Sequence, residues 1–166
     1  MYVNTQADGN GLYRSLVGDN DGRVIISPVV GGLSLEQELT INDSDKTFTV
    51  PAETLWLIKY VWVELATSAT VGNRQIVLEL QDGASDVIWR AYSPITQAAS
   101  LTYNYAFFPG APHATSLVAS EYMPISIPSI LLAATQKIRI YDKAAIAAAT
   151  DDMVIHMTYD AIDVTT

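Results

Sequence analysis

Cysteine is absent from this chain of 166 residues. That excludes a disulfide framework and a cysteine-ligated zinc site. Stability therefore comes from packing or assembly. Charge is scarce too: Asp, Glu, Lys and Arg make up 16% of the chain, against about 25% in an ordinary globular domain. Hydrophobic residues make up 49%. Two readings fit so few charges, a surface partly hidden against neighbours or a β-rich surface covered with Thr, Ser, Asn and Gln. Nine basic residues stand against eighteen acidic ones, a net charge of −9. The basic residues are scattered and form no run. That opposes nucleic-acid binding, because phosphate contact needs clustered cations. An acidic shell suits solubility, or docking onto a basic surface.

Long hydrophobic runs are missing as well. The longest, near 127–134, contains Ser129 and is too short to span a bilayer. "MYVNTQADGN" has neither a basic n-region nor an apolar core, so no secretory signal is expected. Phosphate-binding glycine loops and the G-x-S-x-G elbow are absent.

What is present is alternation. "KTFTV" alternates and stops at Pro51. In "TLWLIKYVWVELA" (54–66), Trp56, Ile58, Tyr60 and Trp62 are expected to share one face; Leu55, Leu57, Val61 and Val63 share the other, interrupted by Lys59. A strand apolar on both faces is central in a sandwich or faces a partner chain. Ile76, Leu78 and Leu80 alternate with Val77, Glu79 and Gln81, and Asp82-Gly83 signals a turn. Val87, Trp89 and Ala91 then alternate with Ile88, Arg90 and Tyr92, which predicts a hairpin with a connection of three to five residues. "LTYNYAFFP", "MPISIPSILLA", "QKIRIYD" and "MVIHMTYDAID" follow as strands. Pro124 and Pro128 mark the second of these as an edge or bulged strand. "KAAIAAATDD" is the one good helix former and is too short to stand alone.

About eight strands and almost no helical periodicity predict an all-β fold, an antiparallel β-sandwich of jelly-roll type. Residues 1–45 read differently, with glycines at 9, 11, 18, 22, 31 and 32 and only short apolar stretches. They are expected to form an extended N-terminal arm holding a short strand or two, with the sandwich occupying 46–166.

Chemistry-bearing residues are few. His113 lies in a Pro/Gly/Ala-rich loop and His156 in the last strand, neither within a catalytic motif. "GDNDGR" (18–23) echoes a calcium loop, but Val17 occupies a ligand position and no Glu closes the set. "NDSDK" (42–46) and Asp151-Asp152 read as solvated acidic turns. No cofactor and no metal are expected. Trp56, Trp62, Trp89, Tyr60, Tyr92, Tyr103 and Tyr105 could form a sugar-stacking platform, or pack in a core or interface as their strand spacing favours.

Three stretches carry a resemblance: "VPAETLWLIKYVWVELATSATVGNRQIVLELQDGASDVIW", "TQAASLTYNYAFFPGAP" and "QKIRIYDKAAIAAATDDMVIHM". The most specific pieces are "TSATVGNRQ", "TQAASLT" and "IRIYDKAAIAAATDDM". Residues 46–159 resemble a family of small virion structural, head-associated proteins encoded by tailed phages. The resemblance implies a non-enzymatic virion component, and within that class a capsid decoration protein on the phage head surface. Such proteins are often β-sandwiches and often trimers, and they bind the major capsid protein. Neither nucleic acid nor membrane is an expected partner. The expected interface residues are Tyr2, Leu12, Tyr13, Val24 and Ile26 in the arm, with Trp56, Tyr60 and Trp62 in the long strand. Loops 109–122 and 142–152 are candidates for an exposed tip. Two other readings stay open: a tail, neck or fibre-base component, and a carbohydrate-binding module for host attachment.

Overall fold

Four nested antiparallel pairings organise the chain as one long hairpin. β4 (Leu33–Glu38) pairs with β13 (Asp152–Asp163), and β5 (Lys46–Thr49) with β12 (Lys137–Asp142). β6 (Thr54–Ala66) pairs with β9 (Thr102–Pro109), and β7 (Ile76–Gln81) with β8 (Val87–Tyr92). Successive pairs fall in alternate sheets. The large sheet runs β4-β13-β6-β9 and the small sheet β5-β12-β7-β8. A hairpin rolled in this way is a jelly roll, so the fold is the expected all-β sandwich. The structure, a computed structural model, describes residues 4–7, 13–18, 24–25, 33–112, 122–144, 146–147 and 149–163.

Two strands are added to the roll. β10 (Met123–Ile127) lies outside β9 and pairs with it in parallel, the one departure from antiparallel pairing among the described strands. It is an edge strand, as its prolines require. β11 (Leu131–Leu132) lies beside Trp56 and Leu57 of β6. Pro128 separates the two strands, so "MPISIPSILLA" is broken rather than continuous.

The backbone of β4 pairs with β13 from Leu33 to Glu38, at the edge of the large sheet. Upstream, β1 (Asn4–Ala7), β2 (Tyr13–Gly18) and β3 (Val24–Ile25) form a three-stranded antiparallel sheet.

The core lies between the two main sheets. Val61, Val63 and Leu65 of β6, Tyr105 and Phe107 of β9, and Met153, Ile155 and Met157 of β13 come from one side. Ile76, Leu78 and Leu80 of β7 and Ile138 and Ile140 of β12 come from the other. Burying each such side chain contributes about 1.5–3 kcal/mol.

The long strand β6 does not keep one phase. Trp56 and Ile58 are buried, and so are Val61, Val63 and Leu65. The switch occurs at Lys59, because Ile58 lies opposite Tyr159 while Tyr60 lies opposite Thr158. Lys59 is thus an extra residue, a β-bulge, and it pairs with Asp160 at 2.7 Å. The expectation that Trp56, Ile58, Tyr60 and Trp62 share a face is overturned. The strand looked apolar on both faces because its inward parity changes halfway along.

The β7–β8 connection is five residues, Asp82–Asp86, within the expected range. Asp82 Oδ1 accepts from the backbone N–H of Ala84 (2.9 Å) and Asp86 (2.8 Å). Ser85, rather than Gly83, takes the positive φ, at 75°. Gly83 is needed for space: a Cβ there would lie 2.6 Å from Thr135 Oγ1.

The acidic turns are not simply solvated. Asp151 is buried, accepting from Arg74 Nε (2.7 Å) and the Ser68 N–H (2.7 Å). Arg74 is equally buried and also donates to the carbonyls of Thr70 and Gly72. Asp142 accepts from the backbone N–H of Gln75 at 2.8 Å. These bonds tie the described part of the 142–152 loop to residues 68–75. Asp43 is 2% exposed, and neither of its carboxylate oxygens has a partner among the described residues.

Candidate functional site

With the space between the sheets filled by apolar side chains, the features left for recognition are on the two outer faces. On the large sheet the bulge decides what is displayed. Downstream of Lys59 the even residues of β6 point outward, so Tyr60 and Trp62 are half-buried on the outside. They stack on each other with ring centroids 6.3 Å apart. Tyr60 also stacks on Phe108 of β9 at 5.9 Å, and Trp62 on Tyr122 at 6.4 Å. The result is a row of four rings, Phe108–Tyr60–Trp62–Tyr122, crossing the outer face. Offset stacks of this kind are worth about 0.5–1.5 kcal/mol each beyond their burial.

The row continues toward β4. His156 lies opposite Trp62 on one side and Gln37 on the other, with Gln37 Nε2 2.9 Å from His156 Nδ1. His156 is thus a cross-strand residue. Thr158 links Tyr60 to Leu35 in the same way. β4 is inverted in character. Glu36 lies opposite core Met157 and accepts from Tyr159 Oη at 3.1 Å, while Leu35 faces outward, 55% exposed. Leu39 and Ile41, just past the strand, are exposed as well. An edge strand with an outward leucine is an unusual surface for a free monomer.

The outer face of the small sheet is polar. Glu79 of β7 is fully buried there beneath its neighbours. It accepts from Tyr141 Oη (2.7 Å), Arg90 Nε (2.6 Å), Gln81 Nε2 (3.0 Å) and Arg139 Nη1 (3.2 Å). Burial alone would raise its pKa, but these bonds outweigh it and hold the carboxyl below its usual range. Arg139 also pairs with Asp45 and lies over the Tyr141 ring at 4.2 Å. Lys143 lies over the Tyr92 ring at 5.3 Å. Arg90, Lys137, Arg139 and Lys143, four of the nine basic residues, are thus brought to one region.

Of the expected interface residues, Tyr60 and Trp62 are on the outer aromatic row. Trp56 is not: it is buried in the core and stacked on Tyr159 with centroids 4.1 Å apart. Tyr13 opens β2 and Val24 opens β3. Tyr2, Leu12 and Ile26 lie outside the described residues, as do His113, most of the 109–122 loop and Asp19–Gly22. Leu35, Phe108, Tyr122 and the Glu79 cluster were not singled out from sequence. The alternation in "KIRIY" showed which side chains share a face, but not that β12 lies beside β7.

Neither a family profile nor a curated protein sequence matches the chain. Among solved structures it is similar to a chain of infectious bursal disease virus, Gx strain, with 11% identity and a TM-score of 0.36 over 90% of this chain. It is similar to a chain of Cocksfoot mottle virus with 10% identity and a TM-score of 0.35, over 90% of this chain and 91% of that one. A VP2 subviral particle of infectious bursal disease virus gives 10% identity and a TM-score of 0.31. This chain spans 41% of the Gx-strain chain and 37% of the VP2 chain. At these values the jelly-roll assignment rests on the strand order.

Proposed function

We propose that the chain is a non-enzymatic virion structural protein, and within that class a capsid decoration protein that binds the outer head surface of a tailed phage. The observation that carries this reading is the outer face of the large sheet. Tyr60, Trp62, Phe108 and Tyr122 form a ring row there, and Leu35 extends it toward an edge strand. A rigid sheet displaying aromatics and leucine is suited to burying area against another protein. The jelly roll is also an architecture of viral capsid domains, which supports the reading by analogy. The resemblance of residues 46–159 to phage head-associated proteins points the same way. Decoration would reinforce a shell by spanning seams between capsomers. The gain per copy can be small because many copies repeat it.

The test is cosedimentation with undecorated phage heads, with the mass of the free protein measured by light scattering. The expected result is saturable binding at a fixed ratio to the major capsid protein, with a trimeric free form. Trp62→Ala and Leu35→Lys should each weaken binding at least tenfold with the fold intact. Removing residues 1–30 should abolish binding if the N-terminal segment acts as an arm. Absence of binding to heads, with the protein recovered in tail fractions, would replace decoration by a tail, neck or fibre-base role.

The same ring row favours one second reading, a carbohydrate-binding module for host attachment, because sugars stack on exposed aromatic faces. Glycan-array binding that is lost in Trp62→Ala, without binding to heads, would select it.

A further inference from the structure

We infer that the outer face of the small sheet holds a binding site for a monoanionic, hydroxyl-bearing small ligand of the uronic-acid class. The site is an open pocket of about 580 Å³ lined by Thr47, Thr49, Gln81, Ser85, Lys137 and Arg139. That volume is in the range of small-molecule sites, about 300–1,000 Å³. The strand register explains the set. Lys137 of β12 lies between Thr49 of β5 and Gln81 of β7, and Arg139 lies between Thr47 and Glu79. Residues two apart share a face, so all of these side chains project to the same side.

The electrostatics single out one cation. Arg139 is committed to Asp45 and Glu79, so its charge is already answered. Arg90 is likewise committed to Glu79. Lys137 donates to the neutral Ser85 hydroxyl at 2.6 Å and has no acidic partner among the described residues. It has two further N–H donors to give. Around it are the exposed hydroxyls of Thr47 and Thr49, which make no hydrogen bond among the described residues. Gln81 spends its Nε2 on Glu79, which leaves its carbonyl oxygen as an acceptor.

One open cation, one fixed acceptor and a set of hydroxyls complement a single carboxylate flanked by hydroxyl groups. A neutral sugar would leave the ammonium unanswered. A dianion such as phosphate would meet the fixed charges of Glu79 and Asp45 beside the one open cation. The ligand carboxylate would take Lys137, and the sugar hydroxyls would exchange bonds with Thr47, Thr49 and Gln81.

The test is NMR titration of the intact protein with methyl glucuronide, which carries a single carboxylate, neutral methyl glucoside, acetate and inorganic phosphate. The expected result is saturable shifts of the Thr47, Thr49 and Lys137 resonances with methyl glucuronide alone. Lys137→Met should weaken that binding at least tenfold, and Lys137→Arg should retain part of it; circular dichroism and melting confirm that both variants fold. Equal affinity for acetate or phosphate would overturn the sugar assignment in favour of a plain anion site. No saturation by any probe at millimolar concentration would overturn the site altogether. The Trp62→Ala variant should bind methyl glucuronide as the parent does, which keeps this outcome separate from the aromatic face.

Discussion

Trp56 and Trp62 have the same parity on one strand, yet they project to opposite faces of the large sheet. Trp56 stacks on Tyr159 in the core, and Trp62 stacks on Tyr60 and Tyr122 outside. Their fates on substitution should differ accordingly. Trp56→Ala should cost about 3–5 kcal/mol, as for a large aromatic removed from a core. Trp62→Ala should cost no more than about 1–2 kcal/mol, because its ring is only partly buried. Urea denaturation measures both; equal costs would mean that the two rings share an environment.

The relationship depends on Lys59. Deleting that residue removes the bulge and forces one half of β6 into the wrong phase, exposing either Trp56 and Ile58 or Val61, Val63 and Leu65. The deletion variant should lose its cooperative thermal transition. Lys59→Ala keeps the residue count and loses only a partly exposed ion pair with Asp160, so its cost should stay within about 1 kcal/mol. A deletion variant that melts like the parent would show that the register does not hold the core.

Asp43 makes the fold sensitive to pH. Burial, with the nearby charges of Asp151 and Asp142, raises its pKa from 3.8 to about 6; Arg74 opposes the shift. The folded state therefore holds this proton more tightly than the unfolded chain. The contribution is fully favourable below about pH 4 and is lost as pH rises through about 6. Asp43→Asn should be more stable than the parent at pH 7, by on the order of 1–3 kcal/mol, with the advantage vanishing below about pH 4. Melting curves at pH 4, 5, 6 and 7 read this directly. A constant difference across the series would rule out the titration.

Arg74 and Asp151 form a buried pair at 2.7 Å. Arg74→Met leaves the Asp151 carboxylate buried without its cation and should cost about 3–5 kcal/mol. Adding Asp151→Leu removes the stranded charge and should recover part of that loss. Denaturation midpoints of the two single variants and the double variant form the cycle. A double variant that is the sum of the singles would mean that the two groups act independently.

Much of the architecture was legible as periodicity. β5, β6, β7, β8 and β12 were readable because alternation is a local property of the chain. The hairpin β7–β8 was readable because its turn lies between its strands. β4 was not readable, because "LSLEQE" puts leucine outward and glutamate inward, against the usual pattern. It becomes a strand by pairing with β13, more than a hundred residues away in sequence. The bulge was hidden as well. A phase change at Lys59 looks the same in sequence as a strand apolar on both faces.

Composition and spacing alone determined that this is an all-β chain without disulfides, acidic, and patterned for two packed sheets. Those properties belong to single residues and near neighbours. Tertiary structure decided which strands are adjacent, and with them both candidate faces. Arg90 and Arg139 are far apart in sequence and meet on Glu79 only because β7 lies between β8 and β12. Tyr60, Trp62, Phe108 and Tyr122 form a row only because one extra residue turns half of β6 around. The reason is that pairing between strands far apart in sequence depends on the whole core closing at once, and no local window of sequence records it.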